Sequence, residues 1–200
     1  MNPTGRLASF SDNVFAFAAT LLVFSVGSVH PKPKESLITA AFEQQWPALL
    51  AMALGFLTIG TAWVAHRNAV RGLEVETHTV VLVNLAILFL VAIVPFTTEL
   101  VSDFLRDSSR EKDASFLFGA AFALLLSLIV LLDFLGRPPE RRPHGISLWR
   151  SPQPLGPLVY AGGAVLSLFL PYVGLVIYLV ASLWLLIVPN SLMAIGRTGD

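Results

Sequence analysis

The sequence predicts an all-α membrane protein with six transmembrane helices, from its low charge content, its long apolar runs and the proline-rich links between them. Of the 200 residues, 55% are hydrophobic and only 13% are charged, and the mean hydropathy is +0.73. An ordinary soluble domain carries roughly 25% charged residues, and one of this size cannot bury so much apolar surface in a single core. We therefore expect one transmembrane domain over residues 1–200, surrounded by a lipid bilayer.

The apolar runs give the number of helices. A helix needs roughly 20 apolar residues to cross about 30 Å of hydrocarbon, and four runs come close to that length. A last apolar stretch, 155–189, is too long for one helix and is divided by Pro171, although a bent or tilted pair is an alternative there. The predicted helices cover residues 6–29, 45–66, 79–102, 113–135, 155–170 and 172–189.

The remaining composition excludes several classes of protein. The links at 30–35, 106–113 and 137–154 are rich in proline or charge and are expected to be loops. A net charge of zero argues against a nucleic-acid partner. Without cysteine there is no disulfide and no thiolate metal site. We also expect no cofactor, no metal site, no separate soluble domain and no cleavable signal peptide.

The distribution of lysine and arginine favours both termini on the cytoplasmic side of the cell membrane. Loops on the inner side of a membrane are enriched in these residues, and the N-in arrangement puts more of them inside than outside. Tryptophans near the predicted helix ends fit interfacial positions. The inner set is Arg6, Arg67, Arg71, Arg137, Arg141, Arg142, Arg150 and Arg197, the outer set is Lys32, Lys34, Arg106, Arg110 and Lys112, and the tryptophans are Trp46, Trp63, Trp149 and Trp184.

Polar residues inside the first predicted helix are the main functional signal. Such groups are costly in a membrane and are often functional. Arg6 and Asp12 are six residues apart, so they project about 240° apart around a helix and are expected to find partners on other helices. His66 and Asn84 are the candidates for these partners. The alternative is that Arg6 extends to the head groups while Ser11 or Asp12 caps the helix.

One face of the same helix is polar at both ends and apolar in the middle. Such a face, if it lined a pore, would give hydrated mouths and a hydrophobic constriction that can gate by dewetting. The alternative is an apolar stripe that packs against lipid or a neighbouring helix. The residues of this face are Asn13, Phe17, Thr20, Leu21, Phe24 and Ser28.

The pattern Arg-x-x-x-Phe-Ser-Asp, formed by Arg6, Phe10, Ser11 and Asp12, resembles the hallmark of the transmembrane protein 175 family. That family contains potassium-permeable channels of endolysosomes and their prokaryotic relatives. The Trp-x-x-His of Trp63 and His66 resembles the end of the family's second helix. The segments Asn-Leu at 84–85 and Val-Pro-Phe-Thr at 94–97 resemble its third helix. The resemblance is close over residues 6–100.

The resemblance implies a homotetramer of six-helix subunits, with the first helix lining a central pore for potassium ions. It implies a pore constriction at Phe17, Leu21 and Phe24, and further pore-lining residues at Asn13, Thr20 and Ser28. It also implies an interhelical network of Arg6, Phe10, Ser11, Asp12, Trp63, His66 and Asn84. The family usually has Ile or Leu where this chain has Phe17 and Phe24, and commonly has glycine at the position of Asn13. The phenylalanine rings would narrow the pore or offer π-faces to a cation.

Three other functions compete with a passive cation channel. A proton-coupled transporter or proton leak pathway would use ionisable groups in or near the helices, namely Asp12, His66, Glu99 and Asp133. An intramembrane hydrolase would use Ser11, His66 and Asp12, but adjacent serine and aspartate point about 100° apart on a helix. The chain is therefore predicted not to be an enzyme. A purely structural membrane protein is the last alternative.

Overall fold

The structure, a computed structural model, describes residues 3–75, 77–105, 110–141 and 155–195, with no side-chain description for 3, 4, 141 and 188–195. This part of the chain forms six α-helices and two short 3-10 helices. The predictions for Trp149, for residues 106–109 and 142–154 of the predicted links, and for the last five residues lie outside it. The elements are α1 Pro3–Leu21, a 3-10 helix Leu22–Ser25, α2 Leu37–Arg71, α3 His78–Phe104, α4 Glu111–Leu135, a 3-10 helix Pro139–Arg141, α5 Leu155–Ser167 and α6 Pro171–Ile195.

Within this part of the chain, four segments are long and apolar enough to cross a membrane: α1 with its 3-10 helix, α2, α3 and α4. α5 has 13 residues and is about 20 Å long, which is shorter than the hydrocarbon layer. α6 begins at Pro171, where a proline costs nothing because the first N–H of a helix has no partner inside the helix. The predicted division of the last apolar stretch thus coincides with a helix start.

α2 extends beyond its predicted range at both ends. It has 35 residues, about 52 Å of helix, and begins eight residues before the predicted start at 45. Its N-terminal turns contain Glu43 and Gln44, which lie outside the predicted range of residues 45–66. A helix needs continuous backbone hydrogen bonding and not continuous apolarity, so it continues past the hydrocarbon.

α1 lies at the edge of the bundle, where it packs against α3 and α2. α4 packs between α3 and α5, and α6 packs against α5 and α2. The 3-10 helix after α1 packs closely against α2 and α3 near Gly55. A methyl group built on Gly55 would lie 2.7 Å from Thr98 Oγ1 and 3.1 Å from Leu22 Cδ2. Glycine at this position therefore allows the three elements to meet.

Candidate functional site

α1 and the 3-10 helix that follows it form one segment with two contrasting faces. Its inward face is buried and consists of Ser11, Phe15, Ala18 and Leu22. Its outward face leaves large aromatic side chains open, with Phe17 65% and Phe24 77% exposed. Residues three and four apart share a helix face, and one set of exposed residues has that spacing: Arg6, Phe10, Asn13, Phe17, Thr20 and Phe24.

The end of α1 departs from the predicted helix of residues 6–29. The α-helix stops at Leu21 and continues as a 3-10 helix to Ser25, where the Ser25 hydroxyl donates to the Leu22 carbonyl at 2.7 Å. Val26 is extended. Phe24 therefore lies on a 3-10 turn, Ser28 lies beyond any helix, and Leu21 is only partly exposed. The predicted constriction and lining residues are not all on one α-helical face.

Thr20 lies on the outward face one turn after Phe17. Its hydroxyl donates to the Phe17 carbonyl at 2.7 Å, a bond that threonine commonly makes within its own helix. With the proton committed to the backbone, the hydroxyl oxygen presents its lone pairs outward. Asn13, one turn before Phe17, is also exposed. The face therefore offers polar oxygen atoms next to an aromatic ring.

Behind the outward face, three buried side chains join α1, α2 and α3. The Asn84 Nδ2 group donates to Ser11 Oγ at 3.2 Å, and the Ser11 hydroxyl donates to the Leu7 carbonyl at 2.9 Å. Asn84 Oδ1 lies 2.7 Å from His66 Nε2. Since an amide oxygen only accepts, His66 must be the donor. All three side chains are at most 1% exposed, so each hydrogen bond replaces one that water would have supplied.

Asp12 is held separately, at the edge of this cluster. The Trp63 indole N–H donates to Asp12 Oδ1 at 2.8 Å, while the guanidinium carbon of Arg67 lies 5.2 Å from the centre of the Trp63 ring. The Phe15 and His66 rings lie 5.2 Å apart at a tilt of 42°. The carboxylate of Asp12 is thus exposed but oriented by α2, and Phe15 covers the buried histidine.

Arg6 and Phe10 are not brought into this network. Both lie on the outward face of α1, where Phe10 is 55% exposed. Among the described residues, no hydrogen bond or ion pair reaches Arg6. The reason is helical geometry: residues four apart share a face, so Arg6 and Phe10 follow Asn13 and Phe17 outward while Ser11 points inward.

The structure does not assemble the hydrolytic arrangement considered from the sequence. His66 bonds to Asn84 and not to Ser11, and Asp12 bonds to Trp63 and not to His66. Within the described ranges, no group of three or more histidine, aspartate and glutamate residues could hold a metal ion. The geometry is that of a packing network and an exposed face.

Two glutamines that the sequence did not single out fix the chain after α1. Gln45 Oε1 accepts from the Gly27 N–H at 3.2 Å, and its Nε2 donates to the Ser28 carbonyl at 3.0 Å. Gln44 Oε1 accepts from the His30 N–H at 3.0 Å, and its Nε2 donates to the His30 carbonyl at 2.9 Å. In the sequence, their position at the margin of an apolar run is the signal that could have identified them.

A second buried polar cluster, also not predicted, lies among α4, α5 and α6. The Tyr160 and Tyr178 rings are stacked with centres 5.3 Å apart. The Ser182 hydroxyl donates to the Tyr178 carbonyl at 2.8 Å, so Tyr160 donates to Ser182 Oγ at 2.6 Å. The Tyr178 hydroxyl donates to the Ser115 carbonyl at 3.2 Å. The spacing of four between 178 and 182 indicated a shared face but not its burial.

Comparison with known proteins finds sequence similarity to one family of channels. Residues 6–95 match the sequence model of the family described as the endosomal/lysosomal potassium channel TMEM175. A protein of Streptomyces collinus named as a potassium channel is 33% identical over 131 residues, which are 66% of this chain and 61% of that protein. The match to an endosomal/lysosomal proton channel TMEM175 of Gallus gallus is 29% identical over 116 residues, 54% of this chain and 23% of that protein.

A crystal structure extends the likeness over the whole fold. It is described as a lysosomal potassium-selective channel TMEM175 homologue from Chamaesiphon minutus, and the match has a TM-score of 0.82 at 25% identity. It covers 95% of this chain and 100% of that chain. The predicted all-helical membrane fold and the resemblance to the transmembrane protein 175 family are confirmed. The named relatives are channels, in line with the prediction that the chain is not an enzyme.

Proposed function

We propose that this chain, whose residues 6–95 match the TMEM175 family, is a subunit of a potassium-permeable cation channel in which α1 lines the pore. The outward face of α1 carries this proposal. Phe17 and Phe24 on this face are largely exposed, because the described part of a single subunit does not cover their rings. In a homotetramer with α1 at its centre, the same face of all four copies of α1 would line the central axis.

The constriction would be apolar, formed by Phe17, Leu21 and Phe24. Four α-helical steps and three 3-10 steps separate Phe17 from Phe24, about 12 Å along the axis, so the rings would make more than one narrow level. An apolar constriction of this kind excludes water when narrow. A cation that passes would meet ring faces, which attract cations electrostatically, and the Thr20 hydroxyl oxygen between the two rings.

The polar cluster of Ser11, Asn84 and His66 would set the position of the pore helix. Its hydrogen bonds join α1 to α3 at 3.2 Å and α3 to α2 at 2.7 Å, and all three side chains are buried. The cluster touches no permeating ion in this proposal. It fixes the rotation of α1 about its axis, and that rotation decides which residues face the pore.

The channel would lie in the cell membrane with both termini cytoplasmic. Arg67, Arg71 and Arg137 are found at the ends of α2 and α4, which places them on the inner side in this orientation. Lys32, Lys34, Arg110 and Lys112 lie at the other ends. The excess of basic residues on the inner side supports the arrangement.

Reconstitution into liposomes tests the proposal. The purified protein is expected to release potassium along its gradient faster than sodium, and empty liposomes serve as the control. No cation flux at any lipid composition or voltage would overturn the proposal. Assembly is measured beforehand by size-exclusion chromatography with light scattering, and a monomer that conducts would contradict the central pore.

A proton leak pathway is the second candidate, because the Gallus gallus relative is named a proton channel and Asp12 is an exposed carboxylate on α1. Asp12→Asn keeps an oxygen that accepts from Trp63 but cannot exchange a proton. If a pH gradient alone drives flux and Asp12→Asn abolishes it, the leak is favoured. If potassium flux persists in Asp12→Asn, the cation channel is favoured.

A further inference from the structure

We infer that Gln44 and Gln45 are positioning residues for Phe24: they hold the chain after α1 against α2 and thereby fix where this constriction residue points. The inference rests on the proposed function, in which Phe24 narrows the pore. The two glutamines are called the glutamine clamp below.

Each glutamine of the clamp uses both the oxygen and the NH₂ group of its side-chain amide. Gln45 joins the Gly27 N–H and the Ser28 carbonyl, and Gln44 joins both backbone groups of His30. Each glutamine side chain therefore accepts from a backbone N–H and donates to a backbone carbonyl of the segment, as the backbone of a neighbouring β-strand would. The segment has no helix of its own, and four of its backbone groups bond to side chains of α2.

Phe24 lies between two fixed points. On one side, Leu22 is 1% exposed and packs toward Gly55 and Thr98. On the other side, the clamp begins at Gly27. Phe24 itself is 77% exposed, so no packing of its own ring holds it. Its direction is set by the backbone between Leu22 and Gly27.

That backbone is a 3-10 helix, and an α-helix is the alternative conformation for the same residues. A 3-10 helix has 3.0 residues per turn and rises about 2.0 Å per residue, against 3.6 residues and 1.5 Å in an α-helix. If residues 22–25 became α-helical, Phe24 would rotate by about 60° relative to Leu21 and the segment would shorten by about 2 Å. The clamp resists this change, because shortening would draw Gly27 away from Gln45.

Single-cysteine labelling tests the inference, since the chain contains no cysteine of its own. Phe24→Cys is labelled with a water-soluble thiol reagent in the assembled protein, alone and together with Gln44→Met or Gln45→Met. Methionine keeps the length of glutamine and removes both hydrogen bonds. Loss of two hydrogen bonds is expected to change the labelling rate by about tenfold. Thr39→Val, an exposed change on the same helix, is the matched control and is expected to leave the rate unchanged.

Potassium flux gives a readout that a merely structural role would not move. If the clamp acts through Phe24, Gln45→Met changes flux in the wild-type background and has no further effect in Phe24→Ala. Equal effects in both backgrounds would overturn the inference, as would labelling rates that match those of Thr39→Val. If wild-type protein conducts no ions, the proposed function fails while the labelling still decides whether the clamp positions residue 24.

Discussion

The two buried polar clusters of this bundle are built differently. In the N-terminal half, Ser11, Asn84 and His66 bond to one another across three helices. In the C-terminal half, a single side-chain pair, Tyr160 and Ser182, bonds across two helices, and the other hydroxyl bonds, from Tyr178 and Ser182, go to backbone carbonyls. Side-chain to side-chain bonds specify how helices are rotated against each other. Hydroxyl-to-carbonyl bonds leave that choice to steric fit.

Steric fit in the C-terminal half depends on glycines against Tyr178. A methyl group built on Gly163 would lie 2.6 Å from Tyr178 Cε1, and one on Gly119 would overlap the Tyr178 hydroxyl. The N-terminal cluster should therefore be broken by removing a polar group, and the C-terminal cluster by adding a methyl group.

Asn84→Leu is expected to be the most damaging substitution. It removes the only described partner of His66 Nε2 and leaves a buried donor unsatisfied, with an expected loss of about 3 kcal/mol of stability. Thermal unfolding in detergent measures the loss. Asn68→Leu, on a partly exposed position of α2, is the control. If the two variants unfolded at the same temperature, the buried network would not hold the helices together.

Gly163→Ala is expected to cost about 2 kcal/mol, because the new methyl group overpacks against the Tyr178 ring. The neighbouring Gly162 has nothing within 4 Å of a built methyl group. Gly162→Ala should therefore be neutral or stabilising by up to about 1 kcal/mol, since alanine favours the helix. Chemical or thermal unfolding of the pair gives the comparison directly. Equal effects from the two alanines would contradict the packing account.

Tyr160→Phe should have the smallest effect, near 1 kcal/mol. It removes the bond to Ser182 Oγ, but Ser182 keeps its bond to the Tyr178 carbonyl and no buried donor is stranded. Bonds of this kind between membrane helices are typically weak. A loss as large as that of Asn84→Leu would remove the distinction between the two clusters.

The same contrast explains what the sequence could predict. Asn84 was identifiable because an amide inside a long apolar run must find a partner. Tyr160 and Tyr178 were not, since an aromatic residue on a membrane helix faces lipid as readily as protein. The α-to-3-10 change before Phe24 was also missed, because it depends on bonds from Gln44 and Gln45 that lie some 20 residues further along the chain.

Helix ends were predicted less well than helix existence, for a physical reason. Apolarity marks only the part of a helix that lies inside the hydrocarbon. The second helix was therefore predicted to start at 45, where the apolar run begins, although the backbone is helical earlier. The structure starts α2 at Leu37. The start of α6 was predicted closely because Pro171 acts on the backbone itself.

The most direct test of the account compares two phenylalanines that are equally open in the subunit. Phe17 on α1 is 65% exposed and Phe89 on α3 is 67% exposed, yet only Phe17 lies on the proposed pore face. In liposomes, Phe17→Ala is expected to raise potassium flux about tenfold, a barrier lowered by about 1.4 kcal/mol, while Phe89→Ala leaves it at the wild-type level. Equal flux from the two variants, with both assembled, would contradict a pore lined by α1.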